Sequence, residues 1–166
     1  GSNLYAYDGE TLEEIVVRLL IERNISISTA ESCTGGMLAS KLVNVPGVSK
    51  VFANGFITYS NQSKTDILGV SPDTISTFGA VSKETALEMV KGLIKRTAAR
   101  AGIAITGIAG PDGGTPEKLV GTVWIAVMLD GEIEASIFKL NGDRERVRHT
   151  ACLNALNMLR KKILHI

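Results

Sequence analysis

At 166 residues the chain is long enough for one domain with a sizeable core, and 45% hydrophobic with 21% charged residues is the balance of a folded globular protein, not a disordered one. A formal net charge of +1 lacks the basic excess that nucleic acid or an anionic membrane calls for, and no apolar run approaches the ~20 residues of a membrane-spanning helix. Two cysteines, Cys33 and Cys152, make no disulfide framework and suit a reduced, cytoplasmic setting, while His149 and His165 lack metal-ligand spacing, so neither a metal nor a cofactor is expected.

The N-terminus shows no basic region followed by an apolar segment, so no signal peptide is read there. Gly1-Ser2 looks like an expression remnant, residues 1–10 read as a tail or linker, and 11–166 as one domain. Leu12, Ile15, Val16, Leu19 and Leu20 recur at helical spacing over 11–23, with Thr11 and Glu14 placed as a capping box. A β-branched run over 25–30 predicts the first strand of the sheet. It leads into Thr29-Ala30-Glu31-Ser32-Cys33-Thr34-Gly35-Gly36 and then a helix to about Asn44, closed by Pro46-Gly47.

Residues 50–59 read as a strand. The polar cluster Tyr59-Ser60-Asn61-Gln62-Ser63-Lys64 begins a short helix through Leu68, closed by Gly69 and Pro72, and 74–78 forms a further helical turn. Ser82 caps a helix over 83–100, in which Gly92 is a weak point unless a neighbour packs closely against it. A short apolar strand over 101–106 precedes the glycine-rich loop Thr106 to Pro116, which reads either as a surface turn or as a phosphate-cradling concavity. Strands over 120–129 and 132–140 flank Asp130-Gly131, a two-residue hairpin signal. Asp143 starts a helix over 144–164, with Val147, Ala151, Leu156 and Leu159 on its apolar side and Arg144, Arg146, Arg148 and Arg160 mostly on a solvated one. Strands alternating with helices argue for a three-layer α/β/α sandwich on a mixed, mostly parallel sheet of about five strands.

The turn from Ser32 to Gly36 is where chemistry is expected, because ligands of open α/β sheets bind at the carboxyl ends of strands and a helix N-terminus favours an anion. Ser32 reads as a nucleophile or as a helix cap. Cys33 reads as a thiolate favoured by the helix end or as a buried small hydrophobe. Glu31 could orient a base, hold a substrate hydroxyl or pair with a surface lysine. With no histidine in reach, Tyr59 and Lys64, at the end of the neighbouring strand, are the candidates to take a proton from Ser32. Burial would lower the proton affinity of Lys64.

Taken together, the segment Thr29–Gly36, Tyr59-Ser60-Asn61 with Lys64, Gly79-Ala80-Val81-Ser82, Thr106-Gly107-Ile108-Ala109-Gly110-Pro111 with Gly113-Gly114-Thr115, and Gly142-Asp143-Arg144 with Val147-Arg148 resemble the CinA C-terminal domain family over nearly the whole chain. That resemblance implies the family's fold, CinA-like and similar to anticodon-binding domains. It implies deamidation of nicotinamide mononucleotide (NMN) to nicotinate mononucleotide and ammonia, in pyridine-nucleotide salvage, by Ser32 assisted by Tyr59 and Lys64.

Backbone N–H groups from Thr34 to Gly36 are expected to hold the oxyanion. Glu31, Cys33, Thr34, Gly35, Gly36, Thr106, Gly107, Gly110, Gly113, Gly114, Thr115 and Arg144 are expected around the substrate, Arg144 from this or a neighbouring subunit. Self-association as a homodimer or higher homo-oligomer is expected, as is an N-terminal CinA domain in a longer chain, to which residues 4–10 would form the junction. The competing expectation is a catalytically silent nucleotide-binding domain that regulates such a protein in competence or DNA damage.

Overall fold

The computed structural model of the chain describes residues 6–7 and 9–166. In chain order its elements are β1 (Ala6–Tyr7), β2 (Glu10–Thr11), α1 (Leu12–Glu22), β3 (Ile27–Glu31), α2 (Met37–Val43), a 3₁₀ turn (Val48–Lys50), β4 (Phe52–Ile57), α3 (Asn61–Leu68), α4 (Pro72–Phe78), α5 (Lys83–Thr97), β5 (Ala101–Gly107), β6 (Thr122–Leu129), β7 (Glu132–Lys139) and α6 (Arg144–Leu164). The main sheet has the order β4-β3-β5-β6-β7. β3 pairs in parallel with β4 and β5, and β6 runs antiparallel to both of its neighbours.

Period-two alternation in the central strands builds two cores. Ile27, Ile103, Ile105, Val123, Ile125 and Val127 face α1, α2 and α6, where Val16, Leu20, Leu38, Leu42, Ala151 and Leu156 close on them. The opposite face carries small residues, Ala30, Ala104 and Ala126, beneath Leu68 of α3 and Ala86, Met89, Val90 and Leu93 of α5. This is the three-layer α/β/α sandwich that the element order predicts. Small residues let the helices come close: a Cβ on Gly102 would stand 2.8 Å from Ile94 Cδ1, and one on Gly92 would stand 1.7 Å from the Leu68 carbonyl oxygen. The close neighbour that Gly92 requires is therefore the C-terminal end of α3.

Local chemistry sets the boundaries. Thr11 Oγ1 accepts from the Glu14 amide while the Glu14 carboxylate accepts from the Thr11 amide, the capping box read from the sequence. Asp130 and Gly131 have φ of 49° and 86°, the pair of positive values a tight hairpin requires.

Four expectations are revised. Part of the segment read as a tail is ordered, because β1 pairs antiparallel with β2; the expected remnant Gly1-Ser2, and Leu4, Tyr5 and Asp8 of the expected junction at 4–10, lie outside the described residues. Pro72 opens α4 as its first residue, with Ser71 as the cap, because proline's missing N–H costs nothing there. α5 stops at Thr97, where Ala98 turns left-handed at φ 58°. β6 starts at Thr122 because Gly121, at φ 93°, lies so close under Leu140 that a Cβ would stand 2.0 Å from its carbonyl oxygen. Among the described residues no helix is long and apolar enough to cross a membrane, and no cluster of three or more His, Cys, Asp or Glu could hold a metal ion.

Candidate active site

Parallel pairing of β3 with β4 and β5 brings their carboxyl ends together, and the site is built there. Ser32 is the first residue beyond β3; its amide still donates to the Ile105 carbonyl at 3.0 Å, which fixes it against β5. From the adjacent strand the chain passes through Thr58 and Tyr59 into α3, capped by Ser60, whose Oγ accepts from the Ser63 amide at 3.1 Å. One turn into α3 stands Lys64, which is 1% exposed.

Its Nζ donates to Ser32 Oγ at 3.0 Å, to the Thr58 carbonyl at 2.8 Å and to the Tyr59 carbonyl at 3.4 Å. Burial lowers the proton affinity of Lys64 from its ordinary 10.5 to about 8, against a weaker opposing influence of Cys33. Burial is the cause expected from the sequence. Ser32 and Lys64 thus form a buried hydroxyl–amine pair at the base of an open cleft of about 260 Å³.

Of the residues expected around a substrate, Ser32, Cys33, Tyr59, Lys64, Thr106, Gly107, Gly110, Gly113 and Arg144 line this cleft. Both Ser32 and Cys33 do so, because the regular strand ends at Glu31 and the turn returns Cys33 to the wall. The thiol is 5% exposed, and burial pushes it up to about 11, outweighing the lowering by its own backbone amide and by Arg148. Cys33 is a protonated wall residue rather than the thiolate that a helix end alone would favour.

The Tyr59 hydroxyl does not bond Ser32 or Lys64. Its side chain is 60% exposed at the rim, where the hydroxyl accepts from Arg144 Nη2 at 3.0 Å. Arg144, from the first turn of α6 of the same chain, also donates through Nη1 to the Gly110 carbonyl at 2.8 Å, so one guanidinium ties the glycine loop to the β4–α3 connection. Thr106 is 1% exposed and donates to the Ala80 carbonyl at 2.8 Å, which holds the 79–82 segment against the cleft.

Six expected residues lie off the cleft, each for a structural reason. The Glu31 carboxylate accepts from the Leu38 and Ala39 amides at 2.8 and 3.1 Å, so it caps α2 from inside instead of meeting a ligand. Thr34 is fully buried, the Gly35 amide is bound to the Ser32 carbonyl at 3.0 Å, and Gly36 is the left-handed residue that starts α2. The Gly35 amide is therefore taken within the turn and does not serve the expected oxyanion site. A Cβ on Gly114 would stand 2.9 Å from the Val120 amide nitrogen, and Thr115 closes a turn with Lys118; both shape the loop rather than face its cavity.

The sequence reading passed over Asn61, Ala80, Val81 and Asp112, which also line the cleft. The first three stand within motifs that carry the family resemblance, and Asp112 lies in the glycine loop, so a signal was present. Arg148, assigned above to a solvated face, instead donates through Nε to the Cys33 carbonyl at 3.0 Å and through Nη2 to the Thr34 carbonyl at 2.8 Å.

Comparison with known proteins gives the family of the chain. Residues 9–163 match the CinA C-terminal domain. A CinA-like protein from Kosmotoga olearia is 51% identical over 164 residues, covering 99% of this chain and 40% of the relative. The chain likewise spans about 40% of the length of the other foremost curated relatives it matches. A CinA superfamily protein from Klebsiella pneumoniae, solved by crystallography, superposes with a TM-score of 0.90 at 37% identity, covering 93% of this chain and 97% of that one. The competence/damage inducible protein CihA from Agrobacterium tumefaciens gives 0.86 at 40% identity, covering 95% and 97%. A match along nearly the whole chain and the fold it shares with these structures make this protein a member of the CinA C-terminal domain family.

Proposed function

We propose that this chain is a serine amidohydrolase that converts NMN to nicotinate mononucleotide and ammonia. The observation that carries this reading is the 3.0 Å contact between Lys64 Nζ and Ser32 Oγ at the base of the cleft. A primary amine whose protonation midpoint is about 8 leaves about one lysine in ten neutral at pH 7. In that form its two N–H groups donate to the Thr58 and Tyr59 carbonyls, and its lone pair meets the serine hydroxyl.

The Ser32 proton passes to Lys64 as Oγ bonds to the carboxamide carbon of NMN. The tetrahedral adduct then expels the amide nitrogen, which takes the proton from Lys64 and leaves as ammonia. Lys64, neutral again, draws a proton from water as that water attacks the acyl ester; nicotinate mononucleotide departs and Ser32 regains its proton. The electron-withdrawing pyridinium ring makes the carboxamide carbon more susceptible to attack. Of the residues that line the cleft, Cys33 adjoins the nucleophile, and its main-chain amide is assigned to the oxyanion, a contact of a kind that typically contributes ~10²–10³ in rate.

Lys64 is the base in this reading, and Tyr59 serves the rim. Arg144 uses two donors on Gly110 and Tyr59, which leaves further guanidinium N–H groups for the substrate's phosphate.

The test is ammonia release from NMN by the purified chain in the presence of a chelator, beside Ser32→Ala, Cys33→Ala and Lys64→Met. Turnover by the parent and Cys33→Ala, but not by the other two, is the expected result. NMN binding without turnover by the parent would overturn the reading in favour of a nucleotide-binding domain.

A further inference from the structure

The loop that carries the nucleophile is held at its ends by main-chain bonds from the Ser32 amide to the Ile105 carbonyl and from the Ser40 amide to the Gly36 carbonyl. Residues 32–36 belong to no regular helix or strand, and within the turn the main chain makes one bond from the Gly35 amide to the Ser32 carbonyl and one from the Met37 amide to the Thr34 carbonyl. Among the described residues the Cys33 carbonyl has no main-chain partner. Glu31 anchors the loop on its far side by capping α2. The near side is held by one side chain from a residue more than a hundred positions away. Arg148, half-buried on α6, bonds the Cys33 carbonyl at 3.0 Å and the Thr34 carbonyl at 2.8 Å. These are the carbonyls of the two residues that directly follow Ser32. The guanidinium lies so close over Gly35 that a Cβ there would stand 3.3 Å from Nη2.

We infer that Arg148 is a positioning residue for the nucleophile, an inference that rests on the serine amidohydrolase reading above. Arg148 reaches the turn from the α6 side of the sheet, while Lys64 meets Ser32 from the α3 side, so the turn is clamped between the two helical layers. Peptide planarity makes the clamp directional: a carbonyl held toward α6 turns the following N–H away from it. A guanidinium suits the task because its fixed fork can serve two acceptors at once, and its charge strengthens both bonds. Without it, the Cys33 carbonyl in a largely buried turn loses its donor, and the Thr34 carbonyl keeps only the Met37 amide. Ser32 Oγ is then free to drift from Lys64 on a scale where ~1 Å costs orders of magnitude in rate.

Arg148→Met and Arg148→Lys are compared with the parent in two measurements. One is steady-state NMN deamidation as a function of pH; the other is the rate at which a fluorophosphonate modifies Ser32, read by intact mass. Arg148→Met is expected to lower kcat and the Ser32 modification rate by about tenfold or more. KM and the pH midpoint set by Lys64 should stay as in the parent, and Arg148→Lys, with one donor restored, should recover part of the loss. A folded Arg148→Met protein with both rates within about twofold of the parent, or with only KM changed, overturns the inference.

If circular dichroism shows that Arg148→Met does not fold, Arg148→Lys decides by the same criteria. Absence of NMN turnover in the parent defeats the amidohydrolase reading alone, since the Ser32 modification rates still report on Arg148. A parent whose Ser32 resists modification defeats both, because a group that is no nucleophile needs no such positioning.

Discussion

Lys64 combines two features that oppose each other. Burial makes it a usable base near neutral pH, and the same burial makes its ammonium form costly to hold in the fold. For activity, the neutral amine is the working form. The logarithm of kcat/KM for NMN should therefore rise with unit slope below about pH 8 and level off above it, a profile read by initial rates across pH. For stability, the folded-state midpoint lies below the unfolded value of 10.5, so between about 8 and 10.5 the unfolded chain binds more protons, and the contribution of this group to stability rises with pH. The full penalty, on the order of 3 kcal/mol, is present below about pH 8. Lys64→Met should accordingly abolish turnover yet melt at or above the parent temperature at pH 7, with the difference shrinking toward pH 10. Tyr59 makes a contrasting case. Because its hydroxyl meets Arg144 and not Ser32, Tyr59→Phe should raise KM for NMN severalfold while kcat and the pH midpoint stay near those of the parent; a large fall in kcat alone would return Tyr59 to the proton-transfer role.

At the scale of elements, the site depends on how α3 sits against α5. Lys64 is delivered by a helix of eight residues whose C-terminal end rests on Gly92. Gly92→Ala should gain ~1 kcal/mol in helix propensity. It also forces a methyl group to within 1.7 Å of the Leu68 carbonyl oxygen, backbone that cannot swing aside. The clash should win, with a net loss of about 1–3 kcal/mol in urea unfolding, and a shift of α3 should lower kcat as well. Glu31 sets a second element. Glu31→Ala leaves the Leu38 and Ala39 amides without their acceptor, and a loss of about 2–3 kcal/mol is expected in the same assay. These two residues show how legibility varied. Glycine in a helix is a visible irregularity, so a close neighbour could be expected at position 92, although not which one. A glutamate between a strand and a glycine turn invites a functional role; only the path of the chain shows its carboxylate turned inward onto a helix N-terminus.

For the whole molecule, β3, β5 and β6 contribute alternate residues to both cores, so neither helical layer can separate without exposing the other's floor. The chain has one tryptophan, Trp124, which packs on the α3–α5 side, whereas far-ultraviolet circular dichroism sees every helix. Unfolding by urea should give coincident transitions by the two probes, as expected of a single cooperative unit. A tryptophan transition that precedes the loss of helix signal would mean that the α3–α5 layer opens on its own and carries Lys64 away from Ser32.

The order of the main-sheet strands and the helices around them, the capping box at Thr11, the Asp130-Gly131 hairpin and the candidacy of Ser32 and Lys64 were all determined by the sequence, because each rests on residue type and short-range spacing. The tertiary structure alone decided which candidates meet. Ser32 and Lys64 are 32 positions apart, and Cys33 and Arg148 are 115 apart. Parallel pairing of β3 with β4 joins the first pair, and packing of α6 on the opposite face joins the second. Arg148 and Arg146 look alike along the chain as basic residues of one helix. What separates them is helical phase against a turn folded from a distant segment, and that relation exists only once the layers have closed.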